Sequence, residues 1–275
     1  MVNIFGAGFV GGEYRNQYPC IVNSREDYTP KTNNILYMIS TIHNYHVFDD
    51  PFIDIDTNLV TLIKVLDQSR KKYGSDFVFN FVSSWFVYGD VSIPVMETSV
   101  CKPKGFYSIT KKTAEDLLIS YCETFKINYR ILRLANIIGP QDKKVSDKKN
   151  ALQYLIQRLK NNEEIKLYNG GNFFRDYIDV VDAVRAIHLV LNYGQFNDIY
   201  NISNGTALLY KDLIDYVVDK TKTSSKIINI EPSDFHKIVQ VKSMVIDNTK
   251  LKALGYSPSL SIQQSLDKII YDEKN

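Results

Sequence analysis

The chain has 275 residues, 44% of them hydrophobic, enough to bury one large core or a larger and a smaller one. Its formal net charge is +2 and no basic stripe or tail stands out, which argues against nucleic acid as the main partner. No apolar run approaches the ~18 residues of a membrane span, and the N-terminus reads as a strand without the charged and apolar regions of a secretion signal, so a cytoplasmic protein with no membrane partner is expected.

In chain order, the first apolar run, residues 2–5, suits a short buried strand and leads at once into Gly6-Ala-Gly8-Phe9-Val10-Gly11. In a strand-to-helix turn these glycines have separate duties. Gly6 permits the tight turn, Gly8 lets backbone approach a pyrophosphate, and Gly11 lets helix and strand pack closely. The amides at the helix start, around Phe9 and Val10, then face the phosphates. Without a ligand the same run is only a glycine-rich turn.

A second strand, 19–23, runs into Asn23-Ser24-Arg25. A carboxylate at this point would hold a ribose 2′-hydroxyl, whereas a 2′-phosphate needs a cation. Ser24 and Arg25 suit the phosphate, so NADP(H) is expected over NAD(H), with Glu26 and Asp27 the residues that would hold a free ribose instead. Strands at 34–39, 77–83 and 128–133 alternate with helices at 57–73 and 107–125. After Pro140 come a polar loop with Lys143-Lys144 and Lys148-Lys149, read as solvated, a helix near 150–160, and shorter mixed elements. The pattern predicts an α/β Rossmann fold: a doubly wound parallel sheet with a smaller C-terminal α/β domain. Residues 1–140 would bind the dinucleotide and 141–275 mainly the substrate, the two partly interleaved with the site in the crevice between them.

Cys20, Cys101 and Cys122 are odd in number and widely spaced, as free thiols in a reducing compartment would be. His43, His46, His188 and His236 show no metal spacing, and His43 and His46 read as loop or surface residues, so no metal site is expected.

Tyr107-Ser-Ile-Thr-Lys111 opens the helix at 107–125, which puts Tyr107 and Lys111 one turn apart on one face. An ammonium beside a phenol favours phenolate, so Lys111 is expected to lower the Tyr107 pKa and ready it for proton exchange with a sugar hydroxyl. Taken alone, the pair could equally be two residues on a solvated face. The strand at 77–83, however, ends in Ser83-Ser84-Trp85-Phe86-Val87-Tyr88-Gly89.

With that segment the chain resembles the extended short-chain dehydrogenase/reductase family of nucleotide-sugar epimerases, dehydratases and reductases. The resemblance implies Ser84, Tyr107 and Lys111 as a catalytic triad. It continues through Met38-Ile-Ser40-Thr41, Asp50-Pro51 with Asn58, Arg133-Leu134-Ala-Asn136-Ile-Ile-Gly139-Pro140, Asn150-Ala-Leu152, Phe174-Arg175-Asp176-Tyr177, Tyr200-Asn201 and Leu254-Gly255-Tyr-Ser-Pro258. It implies that Ser40, Asn58 and Leu134 lie beside the cofactor together with Gly6 to Gly11, Ser24, Arg25, Tyr107 and Lys111. It further implies that Asn136, Asn150, Leu152 and Arg175 hold the diphosphate of a nucleotide sugar, and that Ser84 orients its C4 oxygen. Trp85, Phe86 and Phe106 are candidates to shape the sugar pocket. A homodimer through the helices at 57–73 and 107–125 is also implied; Leu117, Leu118 and Tyr121 fit that role or an ordinary core equally.

Two departures from the family pattern carry information. Only about a dozen residues separate the second strand from the third, so a strand-helix unit is expected to be missing and the adenine side more open. Directly after Ser84, the resembling dehydratases carry Asp-Glu, the decarboxylases a Glu at the second position, and the 3,5-epimerising reductases a Cys there. Trp85 and Phe86 stand in these places and neither transfers a proton, which leaves hydride transfer at one carbon, sugar C4. A 4-keto-sugar reductase is slightly preferred, a 4-epimerase with tightly bound NAD is the alternative, and a non-catalytic dinucleotide-binding redox sensor is a remote third that would show a broken triad.

Overall fold

The computed structural model describes residues 1–140, 142 and 145–272; Lys143 and Lys144 of the basic loop fall outside them. Strand β1 (Val2–Phe5), helix α1 (Phe9–Gln17), β2 (Cys20–Val22) and β3 (Asn34–Tyr37) open the chain. A 3₁₀ turn (Asn44–Phe48), α2 (Phe52–Ile55), a π turn (Asp56–Val60) and α3 (Thr61–Tyr73) follow, then β4 (Val78–Ser84), α4 (Phe106–Phe125), β5 (Asn128–Leu134) and β6 (Asn136–Ile138). The remainder comprises α5 (Ala151–Lys160), β7 (Ile165–Tyr168), β8 (Phe174–Arg175), β9 (Tyr177–Asp179), α6 (Val180–Tyr193) and β10 (Asp198–Ile202). It ends with β11 (Leu208–Leu209), α7 (Tyr210–Thr221), β12 (Ile227–Ile230), α8 (Asp234–Val239), α9 (Thr249–Ala253) and α10 (Ile262–Ile270).

Six strands form one parallel sheet in the order β10-β5-β4-β3-β1-β2. Alternate residues of each strand feed opposite faces, because successive Cβ atoms point to opposite sides. Phe5, Tyr37, Phe79 and Phe81 therefore pack against Leu62 and Leu66 of α3 and Leu118 of α4. Their neighbours Ile4 and Leu36 turn the other way and meet Val184, Ile187 and Val190 of α6. Burial on both faces is why these strands read as apolar runs rather than alternating ones.

As the spacing between the second and third strands predicted, a strand-helix unit is missing. β2 is the sheet edge, and residues 23–33 cross from it to β3, on the far side of β1, without a helix. Asn23 makes this possible. Its buried side chain accepts from Asn3 Nδ2 at 2.8 Å and donates to the carbonyls of Asp27 and Thr29, so the loop has internal partners that a helix would otherwise supply.

The helix expected at 57–73 begins earlier, at Phe52, and contains the π turn, which turns Asn58 into the protein where it is buried. A third core lies beyond the sheet: Leu152, Leu155, Ile156 and Leu159 of α5, at helical spacing, pack with Ile214 and Val217 of α7 and Leu266 and Ile269 of α10. Three two-stranded pairs, β6 with β9, β7 with β12 and β8 with β11, border it. The chain is interleaved, since α6 and β10 return from this region to the large sheet.

Candidate functional site

A cavity of about 1810 Å³ runs from the glycine turn, past the C-terminal ends of β3 and β4, to α5 and β7. At its head, Gly6 has φ +97°, and a Cβ there would meet Ile39 N at 2.8 Å. A Cβ on Gly11 would meet Gly6 O at 2.4 Å, so the helix lies directly on the turn. Gly8, by contrast, has nothing within 4 Å of an added Cβ: its open side is the cavity. It caps α1 without a side-chain hydrogen bond, and the first turn of the helix carries no acidic residue. The exposed amides and positive dipole end of that helix fit an anionic diphosphate.

At the centre, β4 delivers Ser84 and α4 delivers Tyr107 and Lys111. Ser84 Oγ accepts from Phe86 N at 3.3 Å, and the hydroxyls of Ser84 and Ser40 are near enough to the Tyr107 phenol to favour its anion. The three residues of the expected triad thus line one stretch of wall, with Ser40 and Leu134 beside them. The electrostatics differ from the sequence expectation. Lys111 Nζ donates to Val82 O at 2.7 Å and lies 4.2 Å from the Phe81 ring centre, so it is committed to the sheet rather than to the phenol. Burial pushes its pKa down to about 7. Its neighbour one turn on, Glu115, is gripped by the Arg133 fork at 3.1 and 2.8 Å and relieves that shift only in part. Burial pushes the Tyr107 pKa up, not down. A phenol largely withdrawn from water disfavours its anion, and the hydroxyls of Ser84 and Ser40 compensate only in part.

Trp85 and Phe86 stack at 4.0 Å, and Phe86 meets the Tyr107 ring edge-on at 5.9 Å. Arg175 lies over Trp85 and Phe173, its guanidinium donating to the carbonyls of Phe174, Val241 and Lys242. It forms no ion pair among the described residues; Asp90, the carboxylate that acts on it through space, is paired with Lys104. Asn136 Nδ2 donates to Asp176 O at 3.0 Å, and Asn150 opens α5 with its side chain on Ile137 O; both line the cavity.

Several expected positions lie elsewhere. Leu152 is fully buried in the third core, because the apolar stripe of α5 turns it away from the cavity. Asn58 is buried behind the wall, bonded to Ser40, Thr41 and Thr110, and so does not line the cavity. Ser24 is exposed off the wall while Arg25 lines it, as does Arg15 of α1. Phe106 is 40% exposed outside the cavity. His43 and His46, read as loop or surface residues, are half-buried at the 3₁₀ turn and stack at 4.0 Å on the cavity wall. Opposite them, Tyr45 meets His236 Nδ1 at 3.1 Å and Phe235 at 5.2 Å, joining the 3₁₀ turn to α8. Sequence spacing could not have found this contact, since 191 residues separate its ends.

Residues 33–203, more than half the chain, match the model of the NAD dependent epimerase/dehydratase family. The chain belongs to that family. A GDP-6-deoxy-D-mannose reductase from Pseudomonas aeruginosa is 25% identical over 243 residues, 86% of this chain and 79% of that one. Among solved structures, a UDP-glucose 4-epimerase with UDP-glucose from Thermotoga maritima superposes with a TM-score of 0.86 at 22% identity, covering 98% of this chain and 97% of the other. RMD from Pseudomonas aeruginosa complexed with NADPH gives 0.82, also at 22% identity and with the same coverage. At these identities the structural likeness is one of fold. Among the described residues no helix is long and apolar enough to cross a membrane.

Proposed function

We propose that the protein is an NAD(P)-dependent oxidoreductase acting at C4 of a nucleotide-activated sugar, as a 4-keto-sugar reductase. The observation that carries this reading is the convergence of Ser84, Tyr107 and Lys111 on one cavity that begins at the Gly8 turn and continues to Arg175. The open face of Gly8 and the uncapped start of α1 suit the dinucleotide pyrophosphate, and Arg15 and Arg25 suit a 2′-phosphate, which supports NADPH. Arg175, Asn136 and Asn150 suit the diphosphate of the substrate, as in a family whose solved members include one with UDP-glucose. We take residues 1–140 as the cofactor part and 141–275 as mainly the substrate part.

The bound dinucleotide supplies the hydride. Ser84, whose oxygen already accepts from Phe86 N, keeps its proton free to hold the C4 oxygen. Tyr107, buried and neutral, donates its proton to that oxygen as negative charge develops there. Lys111 carries its charge best once phosphates or a phenolate relieve its burial, so ligand binding and proton delivery are coupled. Trp85 and Phe86 exclude water and offer no acid or base for elimination or for proton abstraction beside the ketone. Remote binding at Arg175 orients the sugar.

A 4-epimerase would use the same residues with NAD retained through the cycle, and the resemblance to UDP-glucose 4-epimerases favours it. The redox-sensor reading calls for a broken triad, whereas Ser84, Tyr107 and Lys111 are all present on the cavity wall. Exposed Phe52, Ile55, Val60, Ile109 and Leu117 on α2 to α4 suit a homodimer through those helices; Leu118 is core. Denaturing the purified protein and identifying released nicotinamide nucleotide separates the readings. Empty protein that prefers NADPH supports the reductase, and stoichiometric NAD overturns it in favour of the epimerase. Tyr107→Phe is expected to reduce turnover by at least ~10³-fold with dinucleotide affinity within about threefold; near wild-type turnover would refute the triad.

A further inference from the structure

Helix α4, which carries Tyr107 and Lys111, starts without a cap of its own. Its N-cap is Gly105, which has no side chain to accept a first-turn amide. Within that turn Ser108 Oγ donates to Gly105 O at 3.0 Å and Thr110 Oγ1 to the carbonyls of Phe106 and Tyr107, so these side chains bond carbonyls instead. The acceptor comes from another element. Asn44 Oδ1, on the 3₁₀ turn after β3, accepts from Ser108 N at 3.4 Å across 64 residues of chain. Ser108 is the third residue of α4, a position whose amide an N-cap side chain ordinarily serves. A Cβ on Gly105 would meet Asn44 Oδ1 at 2.4 Å and Cγ at 2.6 Å, so the amide fills the space that a side chain at the cap would take.

A backbone N–H can only donate, which puts Oδ1 on Ser108 and leaves Nδ2 over. Asn44 is 2% exposed, and its Nδ2 has no hydrogen-bond partner among the described residues. A buried, unpaired donor destabilises the fold, a penalty that leucine of similar size would avoid. What asparagine contributes here is therefore its acceptor. Tyr107 is the second residue of the helix, inside the turn most prone to fray. We propose that Asn44 is a positioning residue that caps the Tyr107 helix from outside it and so fixes where the phenol stands on the cavity wall. The turn that delivers Asn44 is itself held: His43 Nδ1 accepts from Tyr45 N at 3.2 Å, and Tyr45 and Phe48 meet His236 and Phe235 of α8. A helix of the C-terminal half thereby supports the start of α4.

This inference rests on Tyr107 as the proton carrier, but its test needs no substrate. Amide hydrogen exchange followed by NMR reads the cap at Ser108, and ¹³Cζ-tyrosine labelling reads Tyr107, whose signal is assigned by its loss in Tyr107→Phe. In Asn44→Ala, Ser108 is expected to exchange about 3- to 30-fold faster, the effect of a lost cap. The Tyr107 signal should shift and broaden, while those of Tyr200 and Tyr256, in the core against α6, stay in place. Asn44→Asp keeps the acceptor and should hold Ser108 exchange within about threefold of wild type. Gly105→Ala, which drives a Cβ into the Asn44 amide, should behave as Asn44→Ala and decides the matter if that variant does not fold. Unchanged Ser108 exchange, faster exchange with the Tyr107 signal unmoved, or equal acceleration in Asn44→Ala and Asn44→Asp overturns the inference and leaves the proposed reaction standing. The expected shifts in a protein whose Tyr107→Phe variant still turns over nucleotide sugars sink the proposed reaction while the cap stands.

Discussion

Lys111→Met is expected to abolish turnover and yet stabilise the ligand-free protein. Lys111 is 1% exposed, and its pKa falls from the ordinary 10.5 to about 7 on folding. The unfolded chain therefore binds more protons than the fold between those values, so this group makes stability rise as pH climbs from 7 to 10.5. Below pH 7 the penalty is present in full. At ~1.4 kcal/mol per pH unit it amounts to about 4–5 kcal/mol near neutrality. Methionine removes that cost but leaves the Val82 carbonyl without its donor, a loss of about 1–3 kcal/mol. Relief of the buried charge outweighs the lost hydrogen bond, leaving a net gain on the order of 2 kcal/mol at pH 7, or several degrees in Tm for a chain this long. Differential scanning calorimetry of both proteins from pH 6.5 to 9.5 tests this. The gap should narrow as pH rises, because only the wild type sheds its proton. Asp176, whose pKa is pushed up to about 7 by burial, contributes equally to both proteins and cancels. A variant less stable than wild type at every pH, with a constant gap, would show that burying the Lys111 charge costs less than its hydrogen bond to Val82 contributes, and would refute the reasoning.

The glycine turn offers a paired comparison. A Cβ on Gly8 meets nothing within 4 Å in the protein, so the melting temperature of Gly8→Ala should stay within about 2 °C of wild type while dinucleotide affinity drops at least ~10-fold. Gly11→Ala forces a Cβ to 2.4 Å from Gly6 O and should lose both stability and binding; equal behaviour of the two variants in melting and fluorescence titration would contradict this assignment. Arg175→Met should weaken binding of a nucleoside diphosphate by about 10- to 100-fold and leave NADPH affinity unchanged, as read by calorimetry; a loss of both would mean that Arg175 supports the fold instead.

Most of the fold is legible in the sequence because its determinants are local. An apolar run, a glycine turn and an amphipathic stretch each specify their element by period and by backbone freedom, which is why five strands of the sheet and the helix of Tyr107 fall where the pattern put them, while the sixth, β10, which joins the sheet from the C-terminal half, was not read as a strand. The missing strand-helix unit was equally visible, since a dozen residues cannot hold both elements. The order of Ser84, Tyr107 and Lys111 along the chain likewise announces their convergence once a parallel sheet is granted, as β4 and α4 are neighbours in it.

What the tertiary structure alone decided is environment. Whether Lys111 lowers the Tyr107 pKa depends on where its ammonium hydrogen-bonds and how much water reaches it, and the fold turns it to Val82 O. Leu152 and Asn150 share a helix start, yet one faces a core and the other the cavity, a matter of α5 orientation against α7 and α10. The contact of Tyr45 with His236 and the network of Asn58 with Ser40, Thr41 and Thr110 join residues from separate elements through side chains. Sequence periodicity specifies which face of an element is apolar. Burial, proton direction and pKa are properties of the assembled neighbourhood, and they come into being only when the elements pack.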